Sequence, residues 1–212
     1  MTALFPISLD LADRPVLVAG GGKVALRKVK LLLEARARVT VVSPRFGPDL
    51  HKLEGVELRR RAFRPSDLEG CTLAIAATDR PEVNEQICRE ARRRGVLVNV
   101  VDRPELCDFH VPASVRRGRL CLAISTGGAS PSLARRLRRQ FEQQLPAACE
   151  QFVELLADVR KLAMSRVHRE RDRRKLFEEL ASPRMLRVLE EEGPQAARAA
   201  MLAKLERAAG SQ

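Results

Sequence analysis

Aromatic residues are scarce in this sequence of 212 residues, which has no tryptophan and no tyrosine and is 3% aromatic. Proteins that bind single-stranded nucleic acid usually stack bases on exposed aromatic rings, so the scarcity argues against that class. Long hydrophobic runs are missing too, and none approaches the length of a membrane-spanning helix. The first residues, MTALFPISLDLADR, lack the basic start and apolar stretch of a signal peptide. We therefore expect a soluble, cytoplasmic protein with no membrane partner.

Cysteine and histidine are also sparse, and their spacing excludes further classes. The five cysteines form no Cys-x-x-Cys pair, and no two of the three histidines have metal-ligand spacing. A structural zinc site and a disulfide framework are therefore not expected, and no metal site is predicted. Free cysteines suit a reducing compartment.

The charge is strongly one-sided, with 39 Lys and Arg against 27 Asp and Glu and a net charge of +12. Such a surface predicts an anionic partner: nucleic acid, an acidic membrane surface or a polyanionic small molecule. Composition alone does not rank the three. Nucleic acid is the weaker hypothesis for the basic C-terminal tail, because acidic residues interleave with its arginines.

Apolar strands alternate with helical patterns from residue 15 to residue 102, as in a parallel sheet that is covered on both faces. The pattern predicts an α/β, Rossmann-like unit, and the alternating third strand is expected at an edge. In the first helix, Val24, Leu31 and Leu32 are expected on one apolar stripe. The predicted strands cover residues 15–20, 38–44, 56–63, 71–79 and 96–102, and the predicted helices cover residues 23–36 and 81–95.

The pattern changes after Asp102. Short strands are predicted at FHVPA (109–113) and RLCLAISTGG (119–128), and a helix is predicted over 130–145 with Ser130 as its N-cap. Everything beyond Pro146 is typical of helix, with breaks expected near residues 182–183 and 193–194.

Three glycines follow the first strand, and Gly20, Gly22 and Ala25 fit the G-x-G-x-x-G/A spacing of a dinucleotide-binding loop. In that motif the first glycine makes the turn, the second lets a pyrophosphate approach, and the third small residue packs the helix on the strand. A glycine turn without a ligand is the alternative. Ser43-Pro44-Arg45 stands where NAD enzymes usually carry an acid. Ser43 could hydrogen-bond the ribose and Arg45 could accept a 2′-phosphate, so spacing leaves NAD and NADP open.

Two further strand ends belong to the same edge of the predicted sheet. Ala77 and Thr78 follow the fourth strand and are expected to line the cofactor. Asp102 follows the fifth strand, where a carboxylate could act as a general acid or base. The alternative for Asp102 is that it caps the following turn. His110, close to it in sequence, could share in proton transfer, although the pattern favours a loop histidine without a role.

Three motifs in order resemble the precorrin-2 dehydrogenase family, which includes the dehydrogenase/ferrochelatase part of siroheme synthase. They are VAGGGKVALRKVKLLLE, AIAATDRPEVN and the segment from NVVDRPELCDFHVPA to STGGASPSLARRL, within residues 5–145. The resemblance implies a Rossmann NAD-binding domain (1–112), a dimerisation and active-site segment (113–146) and a helical domain (147–212). It also implies a homodimer with NAD as cofactor and a tetrapyrrole as substrate, and in some members ferrous iron as a second substrate.

The resemblance also carries site residues onto this sequence. Asp102 falls on the acid implicated in both dehydrogenation and chelation. A serine that is frequent in the family at position 126 is threonine here, which puts a regulatory phosphoserine in doubt. The cofactor-binding positions are Gly20, Gly21, Gly22, Lys23, Val24, Ser43, Pro44, Arg45, Ala77 and Thr78, and the expected substrate-binding positions are His110, Arg117, Thr126, Gly127, Gly128, Ser130 and Arg135.

The resemblance implies NAD-dependent oxidation of precorrin-2 to sirohydrochlorin. The basic charge fits this reading, because precorrin-2 is rich in carboxylates that a few arginines could clamp. Two alternatives stay open: a non-enzymatic NAD/NADH redox sensor that acts through the basic tail, and a Rossmann oxidoreductase with a small acidic substrate.

Overall fold

A computed structural model describes residues 4–210, which form two compact units that divide between Val111 and Pro112. Residues 1–3 and 211–212 lie outside the described residues. Residues 1–3 begin the stretch MTALFPISLDLADR, in which no signal peptide is expected, and the expected NAD-binding domain. Residues 211–212 end the expected helical domain. The expected dimerisation segment and the expected helical domain fall in the same second unit, and the three-part division stays a prediction.

The first unit contains a five-stranded sheet in which every neighbouring pair is parallel, in the order β3-β2-β1-β4-β5. This order confirms the Rossmann-like α/β prediction and the edge position of the third strand. Each strand ends earlier than predicted, because the residues that follow it turn into loops. The strands are β1 (Pro15–Ala19), β2 (Arg38–Val42), β3 (Val56–Arg59), β4 (Leu73–Ala76) and β5 (Leu97–Val100).

Helices α1 (Lys23–Glu34) and α2 (Pro81–Arg93) belong to two separate hydrophobic cores of this sheet. Alternate residues of one strand divide between them: Val16 and Val18 belong to the core of α1, and Leu17 to the core of α2. Period-two alternation of this kind is what a sheet buried on both faces requires.

The apolar stripe predicted for α1 is confirmed at Leu32 and wrong at Val24 and Leu31. Ala25, Val29 and Leu32 are the buried residues of the helix, whereas Val24 and Leu31 are more than one-third exposed. Ala25 and Val29 are one helical turn apart and face the sheet together, while Val24 precedes them at the mouth of the cleft.

The second unit begins with an antiparallel hairpin of β6 (Ala113–Arg117) and β7 (Leu120–Ile124), followed by helix α3 (Pro131–Gln144). The strand predicted at 109–113 is therefore wrong: only its last residue is in β6. Residues 109–112 are not in a strand; the carbonyl of Phe109 instead accepts a hydrogen bond of 2.9 Å from Asn99 Nδ2.

Three more helices complete the second unit: α4 (Cys149–Arg166), α5 (Glu170–Leu180) and α6 (Pro183–Gly210). Their shared core includes Val159, Leu180, Met201 and Leu205. The predicted breaks are present, since α6 starts at Pro183 and is interrupted at Gly193, whose φ is 87°. Within residues 4–210, no helix is long and apolar enough to cross a membrane.

Candidate functional site

The turn after β1 accepts glycine alone, because backbone atoms surround it. Gly20 has φ 126°, and a Cβ there would lie 2.2 Å from the carbonyl oxygen of Ala77. A Cβ on Gly21 would lie 1.9 Å from the carbonyl oxygen of Arg45. Both distances are far inside van der Waals contact, so these two glycines let the ends of β1, β2 and β4 close on one another.

Gly22 differs from its neighbours, because a Cβ there would meet nothing within 4 Å. It is the N-cap of α1, has φ −90°, and no side chain caps the helix. The first turn of α1 contains no acidic residue either. Its free amides and the positive end of the helix dipole therefore face the open space beside Gly22, as an anion-binding helix start requires.

The segment after β2 is fastened to the glycine turn. Gly47 N donates a hydrogen bond of 2.9 Å to the carbonyl oxygen of Gly21. Within the segment, the buried Ser43 hydroxyl donates to the carbonyl oxygen of Arg45 at 2.7 Å. The carboxylate usual in an NAD site is absent here, and the exposed Arg45 side chain has no carboxylate partner among residues 4–210.

Asn84 organises the segment after β4, and the sequence analysis missed it. Its Oδ1 accepts hydrogen bonds from Thr78 Oγ1 at 2.7 Å and Thr78 N at 3.2 Å, and its Nδ2 donates to the carbonyl oxygen of Thr78 at 3.1 Å. Asn84 is only 7% exposed. An asparagine inside an amphipathic helix gives no signal in sequence except that it interrupts the charged residues around it.

Asp102 follows β5 in a left-handed backbone conformation, with φ 60°. Aspartate tolerates this region better than most residues, and such strain concentrates at functional sites. Its exposed carboxylate accepts no hydrogen bond from any described residue, and the following 3₁₀ turn is N-capped by Arg103. Capping of the turn by the Asp102 side chain is therefore not what the structure shows, and the carboxylate is free for a ligand.

Cys107 holds the loop that carries Asp102, a role the sequence did not reveal. Its thiol accepts from Val100 N at 3.2 Å and donates to the carbonyl oxygen of Val100 at the same distance. Burial raises the pKa of this thiol, so it acts as a neutral hydrogen-bonding group rather than as a nucleophile. Burial and the charge of Arg27 lower the pKa of Lys28 on α1, and the charge of Asp102 opposes this shift.

These segments surround one cleft of about 730 Å³ at the carboxyl end of the sheet. A smaller hollow of about 210 Å³ also has Thr78, Asp79, Val101 and Asp102 in its wall, and Asn84, Arg103 and Leu106 besides. The cleft is at the point where the strand order reverses, which is where open parallel sheets bind ligands. It is lined by Gly21, Gly22, Lys23, Val24, Ser43, Pro44, Arg45, Phe46, Gly47, Ala77, Thr78, Asp79, Val101 and Asp102.

The structure thus brings together the predicted cofactor residues of the first unit and Asp102. Gly20 belongs to the same turn, although its own atoms do not line the cleft. Phe46, Gly47, Asp79 and Val101 line it without having been predicted, because each is a loop residue with no motif of its own. His110 is half-buried at the end of the first unit and outside this lining.

The other predicted substrate residues belong to the second unit, where they form a self-contained turn before α3. Gly127 and Gly128 have φ 60° and 87°. The Thr126 hydroxyl accepts from Ser130 N at 3.0 Å, and Ser130 Oγ caps α3 by accepting from Leu133 N at 3.2 Å. The Ser130 N-cap is as predicted, and the turn keeps the Thr126 hydroxyl hydrogen available for a ligand.

Two predicted arginines differ in what they can offer. Arg117 is half-buried, and its guanidinium donates to the carbonyl oxygen of Glu142 at the end of α3 at 3.2 Å. Arg135 is exposed and has no hydrogen-bond or ion-pair partner among the described residues. Arg135 is therefore the freer of the two to bind a carboxylate.

No group of three or more His, Cys, Asp or Glu side chains in the described part of the chain could hold a metal ion. All five cysteines are free thiols. The cleft presents glycine backbone, helix-start amides, basic side chains and two carboxylates, Asp79 and Asp102, neither of which accepts a hydrogen bond from a described residue.

Comparisons with known proteins agree with this geometry. A family model for NAD(P)-binding domains matches residues 7–113, and a model for the central part of sirohaem biosynthesis proteins matches residues 117–144. The siroheme synthase of Methylobacillus flagellatus is 46% identical over 178 residues, and that of Thioalkalivibrio sulfidiphilus is 43% identical over 179 residues. A solved structure, SirC, precorrin-2 dehydrogenase, has a TM-score of 0.77 and 27% identity, over 96% of this chain and 100% of that one.

The chain belongs to the precorrin-2 dehydrogenase and siroheme synthase family. This confirms the resemblance described in the sequence analysis, and the NAD(P)-binding family model supports the expected nicotinamide cofactor. The matches to the two siroheme synthases cover 82% and 83% of this chain, but only 38% and 37% of those proteins. The chain thus spans less than two-fifths of the curated relatives that it matches.

Proposed function

We propose that this protein oxidises precorrin-2 to sirohydrochlorin with NAD, as a cytoplasmic enzyme of siroheme biosynthesis. The observation that carries the proposal is the free Asp102 carboxylate at the wall of a cleft built for a dinucleotide. The similarity to a precorrin-2 dehydrogenase over the whole length of that protein supports the choice of substrate.

The residues of the cleft fit NAD. The glycine turn keeps side chains out of the space beside α1, where the uncapped helix start would hold the pyrophosphate. Ser43, Pro44 and Arg45 would contact the adenosine side, and Ala77 and Thr78 would line the path toward Asp102. When bound, NAD supplies the acceptor for the hydride that precorrin-2 loses.

Asp102 has the position and freedom to take the proton that leaves with that hydride. Its carboxylate has no competing hydrogen bond among residues 4–210, so a substrate N–H or C–H can approach it directly. The smaller hollow shares Thr78, Asp79 and Asp102 with the cleft, so Asp102 borders both spaces together with Asp79.

The tetrapyrrole side of the proposal rests on charge and family resemblance. The free Arg135 guanidinium could clamp a substrate carboxylate, and the Thr126 hydroxyl and the Gly127–Gly128 turn offer neutral donors. We retain His110, Arg117 and Ser130 as substrate-binding proposals from the resemblance. The engaged guanidinium of Arg117 and the capping role of Ser130 make them the weaker ones.

Insertion of ferrous iron into sirohydrochlorin is a second candidate activity. The same Asp102 carboxylate would accept pyrrole protons as iron enters, and the macrocycle itself would supply the ligands. A homodimer is also proposed, and it rests on the family resemblance alone. The comparisons give no support to a non-enzymatic redox sensor.

The test is anaerobic incubation with precorrin-2 and NAD, with sirohydrochlorin followed by its absorption spectrum. Asp102→Asn should lower the rate by about 10²- to 10⁴-fold, the usual contribution of a general acid or base. Asp13→Asn is the matched control, because Asp13 also has a left-handed backbone, with φ 57°, but precedes β1 at the opposite end of the sheet. Equal rates for wild type and Asp102→Asn would remove Asp102 from the mechanism.

Ferrous iron is added in a second assay that starts from sirohydrochlorin, so that loss of the dehydrogenase does not by itself prevent siroheme formation. Formation of siroheme by wild type but not by Asp102→Asn would support the chelatase. Siroheme formation at the rate seen without protein would reject it, and it would leave the dehydrogenase result unaffected.

A further inference from the structure

The ribose end of the cleft is basic and carries no acid. In NAD-specific sites of this fold, an acidic residue after the second strand binds the ribose hydroxyl and repels a 2′-phosphate. Ser43 occupies that place, and its hydroxyl is already committed to the carbonyl oxygen of Arg45 at 2.7 Å. The site thus lacks the group that would exclude a phosphate.

Arg45 in the lining of the cleft and Arg60 over the ring of the lining residue Phe46 have no carboxylate partner among residues 4–210. Arg45 lines the cleft, and its neighbour Phe46 lies under the guanidinium of Arg60, with Arg60 Cζ 6.0 Å from the ring centroid. Both arginines are exposed, and neither forms an ion pair with any described residue. Arg60 reaches this position because it follows β3, which pairs with β2 in parallel and ends at the same edge.

The carboxylates nearby in sequence are already paired with other cations. Glu57 accepts a hydrogen bond from Arg59 Nε at 2.9 Å. Asp67 is buried and accepts from Arg61 Nη1 at 2.8 Å. Asp49 pairs with Lys52 at 2.9 Å. The charges of Arg45 and Arg60 are therefore left for a ligand.

The position of Arg45 is fixed by the backbone. Gly47 N bonds to the carbonyl oxygen of Gly21, and the carbonyl of Arg45 closes against the Cα of Gly21 where any Cβ would clash. The root of the Arg45 side chain is thus held beside the glycine turn. Only its long side chain has to become ordered when an anion binds.

We propose that Arg45 and Arg60 form a subsite for the 2′-phosphate of NADP, so that this chain accepts NADP as well as NAD. The inference rests on the proposed dinucleotide site and concerns its specificity. A phosphate monoester dianion would gain charge-assisted hydrogen bonds from both guanidinium groups. The ribose hydroxyl of NAD offers no comparable charge.

The test is calorimetric titration of the full chain with NAD and with NADP, without tetrapyrrole. We expect NADP to bind within about threefold of NAD or more tightly, and Arg45→Ala/Arg60→Ala to lower the NADP-to-NAD affinity ratio about tenfold. Arg38→Ala is the matched control, since Arg38 is an exposed arginine at the opposite end of β2, and it should leave the ratio unchanged. Thermal melting of each variant verifies that it is folded.

Binding of NAD together with NADP binding weaker by more than about threefold would overturn the subsite and leave the proposed function standing. A ratio unchanged in the double variant would also overturn it. If folded protein bound neither dinucleotide, the dinucleotide site itself would be wrong, and the subsite would fall with it.

Discussion

Substitution of single glycines separates two roles of the turn after β1: the close packing of the strand ends and the proposed binding of the pyrophosphate. Gly22→Ala adds a methyl group where nothing lies within 4 Å and where φ is −90°, which alanine adopts readily. We expect the free energy of unfolding to change by no more than about 1 kcal/mol. The methyl group would occupy the space beside the start of α1, where the pyrophosphate is proposed to bind.

The expected loss of affinity follows from the contacts that the methyl group displaces. A hydrogen bond to a charged group contributes about 1.5–3 kcal/mol, so loss of one amide–phosphate bond weakens NAD binding about 10- to 100-fold. Gly20→Ala should behave differently, because its Cβ would lie 2.2 Å from a backbone oxygen in a strained φ region. Strain of that kind costs about 1–3 kcal/mol before any clash is relieved.

Urea denaturation and calorimetric NAD titration measure the two effects on the same preparations. Gly95→Ala is the control for backbone strain alone, since Gly95 has φ 68° and a Cβ there would meet nothing within 4 Å. It should lose stability without loss of NAD affinity. Wild-type affinity in Gly22→Ala would refute the placement of the pyrophosphate, and wild-type stability in Gly20→Ala would refute the close approach of β1 and β4.

Three further predictions concern residues whose side chains hold loops of the first unit. Asn84→Ala should lower the free energy of unfolding by about 1–3 kcal/mol, because Thr78 loses buried partners, and Asn84→Asp, which keeps the acceptor, should lose less in urea denaturation. Cys107→Ala should cost about 1 kcal/mol through its lost hydrogen bonds, whereas Cys107→Ser should retain most of that; equal losses would contradict the role of the thiol. Burial alone raises the pKa of Asp67, but hydrogen bonds from Arg61 and the Arg64 amide hold this pKa below its ordinary value. The stabilisation by ionised Asp67 is complete above about pH 4 and is lost as the pH falls through the pKa that Asp67 has in the folded protein. The difference in free energy of unfolding between wild type and Asp67→Asn should therefore narrow in acid. A difference that does not change with pH would contradict this prediction.

The sequence predicted the fold well where apolar alternation and glycine spacing act locally. Five parallel strands, the edge position of β3 and the anion-ready start of α1 all follow from such patterns. The stripe on α1 was partly misplaced because adjacent apolar residues at the start of the helix fit the period equally well. Ala25 faces the sheet, and Val24 faces the mouth of the cleft.

The supporting residues of the site were harder to predict. Asn84 acts across six residues on Thr78, and Cys107 acts across seven on Val100, so neither makes a motif with its neighbours in sequence. The segment at 109–113 has the composition of a strand. Its backbone instead continues past β5, where the Asn99 side chain binds the carbonyl of Phe109, and a contact of this kind is set by tertiary structure.

The central claim is that this chain couples precorrin-2 oxidation to a nicotinamide dinucleotide. The most direct measurement is an anaerobic incubation of the protein with precorrin-2 and NAD in which NADH and sirohydrochlorin are followed together. The account predicts that the two products appear in equal amounts and at the same rate, and that neither appears when the dinucleotide is left out. Sirohydrochlorin formed at the same rate without dinucleotide, or no conversion by folded protein that binds NAD, would contradict it.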